Sequence, residues 1–454
     1  MTRYIQQLRR ILTKNFNIKL FNTDGRRLED FKPIHAGSVG MYSCGPTVYD
    51  RVHIGNLRFV VVNDIFYRFF KAAAYNTHWV MNLTDIDDKM IAKAQAENCS
   101  ITEIARRYTK VLFDDLRAIN ISIDEIEIVK ATDHLKEMRD MVDLLVNKGI
   151  AYEASDGIYF AVDKFKDYGK FAGIVMDSGK TQARIANDTY DKTSPQDFAL
   201  WKNDPDFEGG RPGWHIECSV MSAKYLGQPF DIHTGGVDLI FPHHQNEVAQ
   251  SEAAYNKKLA NYWLHNEFLM IEGEKMSKSL HNYLTLEDIV KKDFSPLALR
   301  YVLISAHYRT LLDFTWESIK GAETIIGDMR RFYVKSELFD SNSEFDAEAA
   351  YQKFMHALAN DFNTPEALAI VFEVIGNEAN IGPAGLIFMQ QVDQILGLNI
   401  AQSTPEEIVN LLKIMDEARS KKDYTESDRI RAKLNQLDYE IENSAHGSYA
   451  IKRK

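Results

Sequence analysis

Cysteine is scarce: the chain has three, Cys44, Cys99 and Cys218, in 454 residues. They stand far apart and form no C-x-x-C pair, which argues against a disulfide framework, points to a reducing compartment and leaves each thiol to be explained singly. No run of about eighteen apolar residues occurs, so a membrane span is not expected. Positive charge is short as well, with 54 Lys and Arg against 65 Asp and Glu and a formal net charge of -11. That balance does not suit a chain built to coat nucleic acid, although a local basic stripe on an acidic protein remains open. Internal repeats and low-complexity tracts are absent, which excludes a solenoid array.

What is there reads as a soluble globular chain, 45% apolar and 26% charged, long enough for about three domains. The first nineteen residues carry Arg3, Arg9, Arg10, Lys14 and Lys19, with no acid before Asp24. An organelle transit peptide shares that composition; a short basic extension on a cytoplasmic protein is the plainer reading, and a cytoplasmic location is expected.

The run Val39 to Cys44 is short, apolar and stopped by Gly45-Pro46, which predicts a buried strand ending in a turn. Leu57, Val60, Val61, Ile65 and Phe69 then recur at helical spacing. Thr77 to Leu83 reads as a second strand, and Asp85 to Asp88 opens another helix with carboxylates at its positive end. Strand, helix, strand, helix predicts an α/β fold with a doubly wound parallel sheet. From about Ala131 to Trp201 short β segments such as Gly157–Val162 predict an insertion. A helix is expected near Pro242, a residue favoured in a first turn. Beyond Ser318 the periodicity is helical, and Ala401 to Pro405 resembles a linker before a small charged module.

Two segments carry chemistry: His53-Ile-Gly-Asn56 at the start of the first helix and Lys275-Met-Ser-Lys-Ser279 far downstream. A helix N-terminus offers free N–H groups and a positive dipole end, so the turn around Gly55 can receive phosphate oxygens, and His53 can donate to them. Lys278, with Lys275 nearby, can stabilise charge that builds on a leaving pyrophosphate. The order and setting of the two strings resemble the signatures of class I aminoacyl-tRNA synthetases. A second constellation is metal-like: Cys44, Cys218, and the run His243-His244-Gln-Asn-Glu247. His243 and Glu247 are spaced i, i+4 and share a helix face, while His244 with Glu247 at i, i+3 would serve equally. His215 and His233 are further candidates. Cys, Cys, His and Glu suit zinc.

The stretches Tyr42-Ser-Cys-Gly-Pro-Thr-Val-Tyr-Asp50, Asn82-Leu-Thr-Asp-Ile-Asp-Asp-Lys89, Arg211-Pro-Gly-Trp-His-Ile-Glu-Cys218 and Phe241-Pro-His-His-Gln-Asn-Glu247 resemble the cysteinyl-tRNA synthetase family from about Ile34 to the C-terminus. The resemblance implies zinc ligands at Cys44, Cys218, His243 and Glu247, with the substrate thiol bound to the metal. It implies L-cysteine, ATP with Mg2+, and tRNA(Cys) as partners, with cysteinyl-adenylate as the intermediate. His53, Asn56, Lys275 and Lys278 would be catalytic. Gly55 would line the ATP site, and Gly235, Gly236 and Asp238 would form an adenosine loop. Trp214 would wall the side-chain pocket and Thr47 would contact substrate; Cys99 is left as a structural thiol. A related ligase passes cysteinyl-adenylate to an amino sugar, but the helical region and charged terminal module favour tRNA as acceptor.

The expected layout is an N-terminal extension (1–33), a split nucleotide-binding domain (34–130 and 196–262), a connective insertion (131–195), a stem-contact region carrying the lysine loop (263–317), a helical bundle (318–400) and an anticodon-binding domain (401–454), acting as a monomer. Where the family commonly has aspartate and tryptophan, this chain has Asn443 and Ala450, so Tyr449 is expected to supply the stacking aromatic.

Overall fold

The computed structural model describes residues 16–174, 194–204, 207, 209–276, 282–341, 344–445 and 447–452. The chain divides into two compact units, the first comprising Met1–Arg117, Ser122–Leu269 and Tyr308–Leu312, the second Ala118–Ile121, Met270–His307 and Asp313–Lys454.

In the first unit the apolar run before Gly45 forms β1 (Ser38–Ser43), and α1 (Ile54–Ala72) carries the chain over to β2 (Asn76–Leu83). With β3 (Glu127–Lys130), β4 (Phe230–Gly236) and β5 (Ala260–Asn266) these strands make a five-stranded sheet in the order β5-β4-β1-β2-β3. Every neighbouring pair is parallel, as the alternation of strand and helix predicts. The strand order runs outwards in both directions from β1, so the winding reverses between β1 and β4. In such sheets ligands bind in the crevice at the carboxyl ends of the two strands that flank the reversal. Here those ends carry Cys44, just past β1, and Gly235-Gly236, closing β4.

Parallel strands must be covered on both faces. α1 buries Leu57, Val60, Val61, Ile65, Phe66, Phe69 and Phe70, and its Asn63 accepts a 2.7 Å hydrogen bond from Thr234 of β4. α2 (Trp214–Leu226) and α3 (Gln245–Tyr255) supply further cover. The helix expected from Pro242 begins at Gln245, because an irregular turn, Ile240–His244, with Phe241 in extended conformation, intervenes.

Residues 19–30, read from sequence as part of an extension, form an antiparallel hairpin, Lys19–Asn22 with Arg27–Asp30. It ties to the exposed edge of the sheet: Asn22 accepts from the Trp263 N–H (3.0 Å) and donates to the Asn261 carbonyl (2.9 Å), and the Thr23 N–H reaches the Trp263 carbonyl (2.9 Å). An edge strand covered in this way offers no template for foreign pairing. The inserted region holds a helix, Leu135–Asn147, where short β segments were expected; Met138, Met141, Val142 and Leu145 are its buried stripe at helical spacing. The antiparallel sheet follows: Ala151–Ala154, Gly157–Phe160, Phe198–Lys202 and Arg211–Pro212, each strand pairing with the next.

The second unit is mainly helical, with Trp316–Leu338, Ala347–Ala359, Thr364–Ile375 and Pro383–Leu396 packed together. The Asp393 carboxylate accepts from the backbone N–H groups of Leu398, Ile400 and Ala401, which pins the turn leading to the last module. That module is a helix pair, Glu406–Ser420 and Tyr424–Gln436, followed by the hairpin Tyr439–Ser444 and Gly447–Lys452. Tyr449 lies in this hairpin with its ring buried and its hydroxyl 2.5 Å from Glu442 Oε2. Its ring is therefore packed into the module and not presented for stacking, contrary to the expectation from sequence. No helix among the described residues is long and apolar enough to cross a membrane.

One buried cation fastens α1 in place. The Arg58 guanidinium, fully buried, donates to the carbonyls of Glu267 (2.9 Å), Phe268 (2.8 Å) and Thr310 (2.8 Å). Arg58→Met would remove these three bonds; the Glu267 and Phe268 carbonyls keep other donors, Asn266 Nδ2 and the Leu312 N–H, so urea unfolding of the variant should show a loss of about 1–3 kcal/mol in the stability of the first unit.

Candidate metal centre and active site

Four side chains from three separate stretches converge at the carboxyl end of the sheet. Cys44 follows β1, Cys218 sits one turn into α2, His243 lies in the irregular turn and Glu247 lies in the first turn of α3. Their donor atoms all lie within 4.8 Å of one another, and all four residues are buried. The Cys44 and Cys218 sulfurs are 3.6 Å apart, Cys44 Sγ is 3.8 Å from Glu247 Oε1, and the same oxygen is 3.0 Å from His243 Nε2. A second grouping shares two of these residues, Cys44 and Glu247, with His233 and His244.

The turn after β1 can reach this point because Gly45 has no side chain: a Cβ there would stand 1.7 Å from the Asn82 carbonyl oxygen. Its N–H donates to Asn82 Oδ1 at 2.8 Å. On α3, Glu247 is held from behind, since His233 Nε2 donates to its second oxygen, Oε2, at 2.8 Å. The His233 ring stacks on Trp263 with centroids 4.3 Å apart. His243 has its Nδ1 2.8 Å from His215 Nδ1, and the Trp214 ring lies against its face at 4.2 Å. Trp214 is 45% exposed despite that contact.

The electrostatics follow from packing charge where water is excluded. Burial alone would raise the Glu247 carboxyl, but His233 and His243 facing it hold it at about 2. Burial would depress His243, and Glu247 and Cys218 outweigh it, raising the imidazole to about 10. For Cys218 burial is again opposed, by the hydrogen bonds of Cys44 and His243, which lower the thiol to about 6. Cys44 goes the other way: burial, with Cys218 and Glu247 beside it, pushes its thiol well above the usual range. Burial and neighbouring imidazoles hold His244 well below its ordinary value, and burial keeps His265 down at about 3. At neutral pH the metal-free cluster thus holds a Cys218 thiolate, a Glu247 carboxylate, a protonated His243 and a protonated Cys44.

The first signature lies elsewhere in the same unit. His53 is the N-cap of α1, its Nδ1 accepting the Asn56 N–H at 3.2 Å. In the neutral ring this puts the proton on Nε2, making that atom a donor, while Gly55 and Asn56 occupy the positive first turn. Thr47 bridges to Thr84 beyond the ends of β1 and β2. Lys275 belongs to the second unit, in a short hairpin where it pairs with Met270, and it is exposed. Lys278 lies outside the described residues.

Gly235 and Gly236 have a structural use of their own. A Cβ on Gly235 would come within 2.3 Å of the His244 ring, and one on Gly236 within 2.3 Å of the Asp238 carboxylate. Sequence reasoning gave no role to three residues at the site: Asn82, quoted only as the start of a family-like stretch, His265 and Thr23. The first two end parallel strands, and the rule that strand ends line the crevice would have flagged them. Thr23 comes from a hairpin with no such signal.

Comparison with known proteins now bears on the same residues. Residues 30–324 match the model of the tRNA synthetases class I (C) catalytic domain, and residues 353–398 match the DALR domain. The cysteine–tRNA ligase of Brachyspira hyodysenteriae is 39% identical over 95% of this chain and 98% of its own length. That of Thermococcus onnurineus is 38% identical over the same shares, and that of Thermodesulfovibrio yellowstonii 41% identical over 92% and 96%. The chain belongs to the cysteinyl-tRNA synthetase family. Among solved structures, the methionyl-tRNA synthetase of Mycobacterium tuberculosis, bound by methionyl-adenylate, aligns with a TM-score of 0.57 at 13% identity over 83% of this chain and 90% of its own. A putative arginyl-tRNA synthetase of Campylobacter jejuni aligns with a TM-score of 0.51 at 12% identity over 82% and 93%. At those identities the likeness is one of fold, the class I synthetase fold that the family shares.

The proton inventory of the cluster gives a measurable consequence. Loading a divalent metal must displace protons from Cys44 and His243 but none from Cys218 or Glu247, so uptake should release about two protons near pH 7.5. Apparent metal affinity should then rise by about 100-fold per pH unit there, which indicator-dye proton release and chelator competition at two pH values would check.

Proposed function

We propose that the protein activates L-cysteine with ATP to cysteinyl-adenylate and transfers the cysteinyl group to tRNA(Cys). The observation that carries this reading is the buried convergence of Cys44, Cys218, His243 and Glu247 at the crevice of a class I synthetase sheet. The donor chemistry fits zinc: two thiolates and an imidazole favour a borderline-soft ion over magnesium or calcium, which prefer oxygen. A bound zinc supplies a Lewis-acid centre that takes a substrate thiol as thiolate and has far less affinity for the hydroxyl of serine. An apolar pocket separating such near-isosteres gains only a few kcal/mol, so metal selection supports accurate charging without an editing site.

The chain's own residues supply the remaining functions in this reading. Trp214 and the aromatic floor beneath His233 narrow the side-chain pocket and exclude water from the ligand atoms. His53 Nε2 and the first-turn N–H groups of α1 donate to ATP phosphates, with Mg2+ accompanying the nucleotide. Lys275 and Lys278 neutralise the departing pyrophosphate, Thr47 contacts the amino acid, and Gly235, Gly236 and Asp238 line the adenosine side. In this reading residues 34–130 and 196–262 catalyse, 131–195 form the insertion, 263–317 contact the acceptor stem, 318–400 make the bundle and 401–454 read the anticodon. In that last module Arg419 donates to Asn443 Oδ1 at 2.7 Å and to Ser448 Oγ at 2.9 Å, fixing a polar patch suited to a base edge.

ATP–pyrophosphate exchange tests the proposal. Cysteine should drive exchange and serine should not, and Cys218→Ser should lose both bound zinc and cysteine-dependent exchange. Equal exchange with cysteine and serine would reject zinc selection.

A further inference from the structure

A chain of buried hydrogen bonds runs from the N-terminal hairpin to one of the metal-ligand candidates. Cys44 Sγ lies 3.4 Å from His244 Nε2, His244 Nδ1 lies 2.8 Å from His265 Nε2, and His265 Nδ1 lies 2.7 Å from the Thr23 hydroxyl. All four residues are buried, His244 completely. The ring of His244 can occupy this position only because Gly235 has no Cβ to meet it. The Thr23 end is anchored independently, through its backbone N–H to Trp263.

We infer that Thr23, His265 and His244 are positioning residues that orient one donor N–H onto the Cys44 sulfur, and that this relay keeps Cys44 a strong thiolate ligand for the metal. The inference rests on the zinc reading above. The direction of the relay follows from elementary valence. A thiolate bound to a cation can only accept, so His244 Nε2 must carry its ring proton. Its Nδ1 then accepts, so His265 must carry its proton on Nε2. His265 Nδ1 in turn accepts, and the Thr23 hydroxyl must donate. Each neutral ring has one N–H, so the acceptor at the Cys44 end sets both tautomers and calls for a donor at the Thr23 end, which the hydroxyl supplies.

The relay also separates the two overlapping donor groupings. A His244 that spends Nε2 on Cys44 does not offer that nitrogen to a metal. His233 is similarly committed, since its Nε2 donates to Glu247 Oε2. What remains as ligands is Cys44, Cys218, His243 and Glu247, with His244 and His233 as their outer partners. Outer partners of this kind orient ligands and are commonly worth about 10- to 100-fold in metal affinity. The hairpin of residues 19–30 thereby gains a role at the metal centre, although no residue of it touches the donor atoms.

Thr23→Val keeps the shape of the side chain and removes the hydroxyl donor at the end of the relay, while Thr23→Ser restores it. His265→Phe cuts the same chain one link further on and retains an aromatic ring. The dissociation constant of zinc from the full chain, measured by chelator competition, should rise by about ten-fold or more in Thr23→Val and His265→Phe and stay within about three-fold of the unaltered chain in Thr23→Ser. The sulfur-to-cobalt absorption band of the Co2+-loaded chain should shift in the first two variants alone. Affinity and band unchanged in Thr23→Val and His265→Phe would overturn the relay, as would a Thr23→Ser variant as weak as Thr23→Val, which would mean packing and not the hydroxyl. An unaltered chain that binds no zinc at all would overturn the relay and the zinc reading together.

Discussion

Two sulfurs, an imidazole and a carboxylate are forced together away from water, and the rest of the first unit is arranged to tolerate that crowding. Desolvating ionisable groups is expensive unless opposite charges and hydrogen bonds compensate. Here the compensation is specific: Glu247 is flanked by His233 and His243, Cys218 by Cys44 and His243, and Cys44 by His244. None of these groups could be removed singly without stranding a neighbour. Without a cation the cluster balances its charge by holding protons on His243 and Cys44; a divalent ion would replace those protons and neutralise the same anions.

The sheet makes this arrangement possible at low backbone cost. Reversal of the winding between β1 and β4 leaves a crevice that no crossover helix fills, and the strand ends deliver Cys44 and Gly235 to its rim. Missing side chains then permit approach where chains must nearly touch, Gly45 against the Asn82 carbonyl and Gly235 against the His244 ring. Arg58 braces the helix that follows β1, and the N-terminal hairpin braces the edge strand β5 next to β4. Function in this unit therefore depends on elements that do not themselves meet substrate.

Much of this was legible in the sequence. The apolar run stopped at Gly45-Pro46 and the helical spacing after Gly55 identify the parallel sheet, because period and turn chemistry act locally. Spacing brought Cys44, Cys218 and the His243–Glu247 run under suspicion but could not choose between His243 and His244, since both share a side with Glu247. The choice needs orientation in space, which depends on an extended Phe241 that breaks the helix before His243. The Leu135–Asn147 helix was missed although its four buried residues stand at helical spacing, because neighbouring β segments dominated the reading. Thr23 and His265 were invisible for a different reason: they meet each other across a separation of 242 residues. Tyr449 shows the reverse error, an aromatic assigned to a surface when its hydroxyl and ring are spent inside the hairpin.

The central claim is that the buried cluster binds a zinc ion that then takes the substrate thiol. X-ray absorption at the zinc edge, recorded on the loaded protein with and without cysteine, tests it most directly. The account predicts two sulfur neighbours from Cys44 and Cys218 in the absence of substrate and a third when cysteine is added, with serine causing no change. A sulfur count that stays the same on adding cysteine would contradict it.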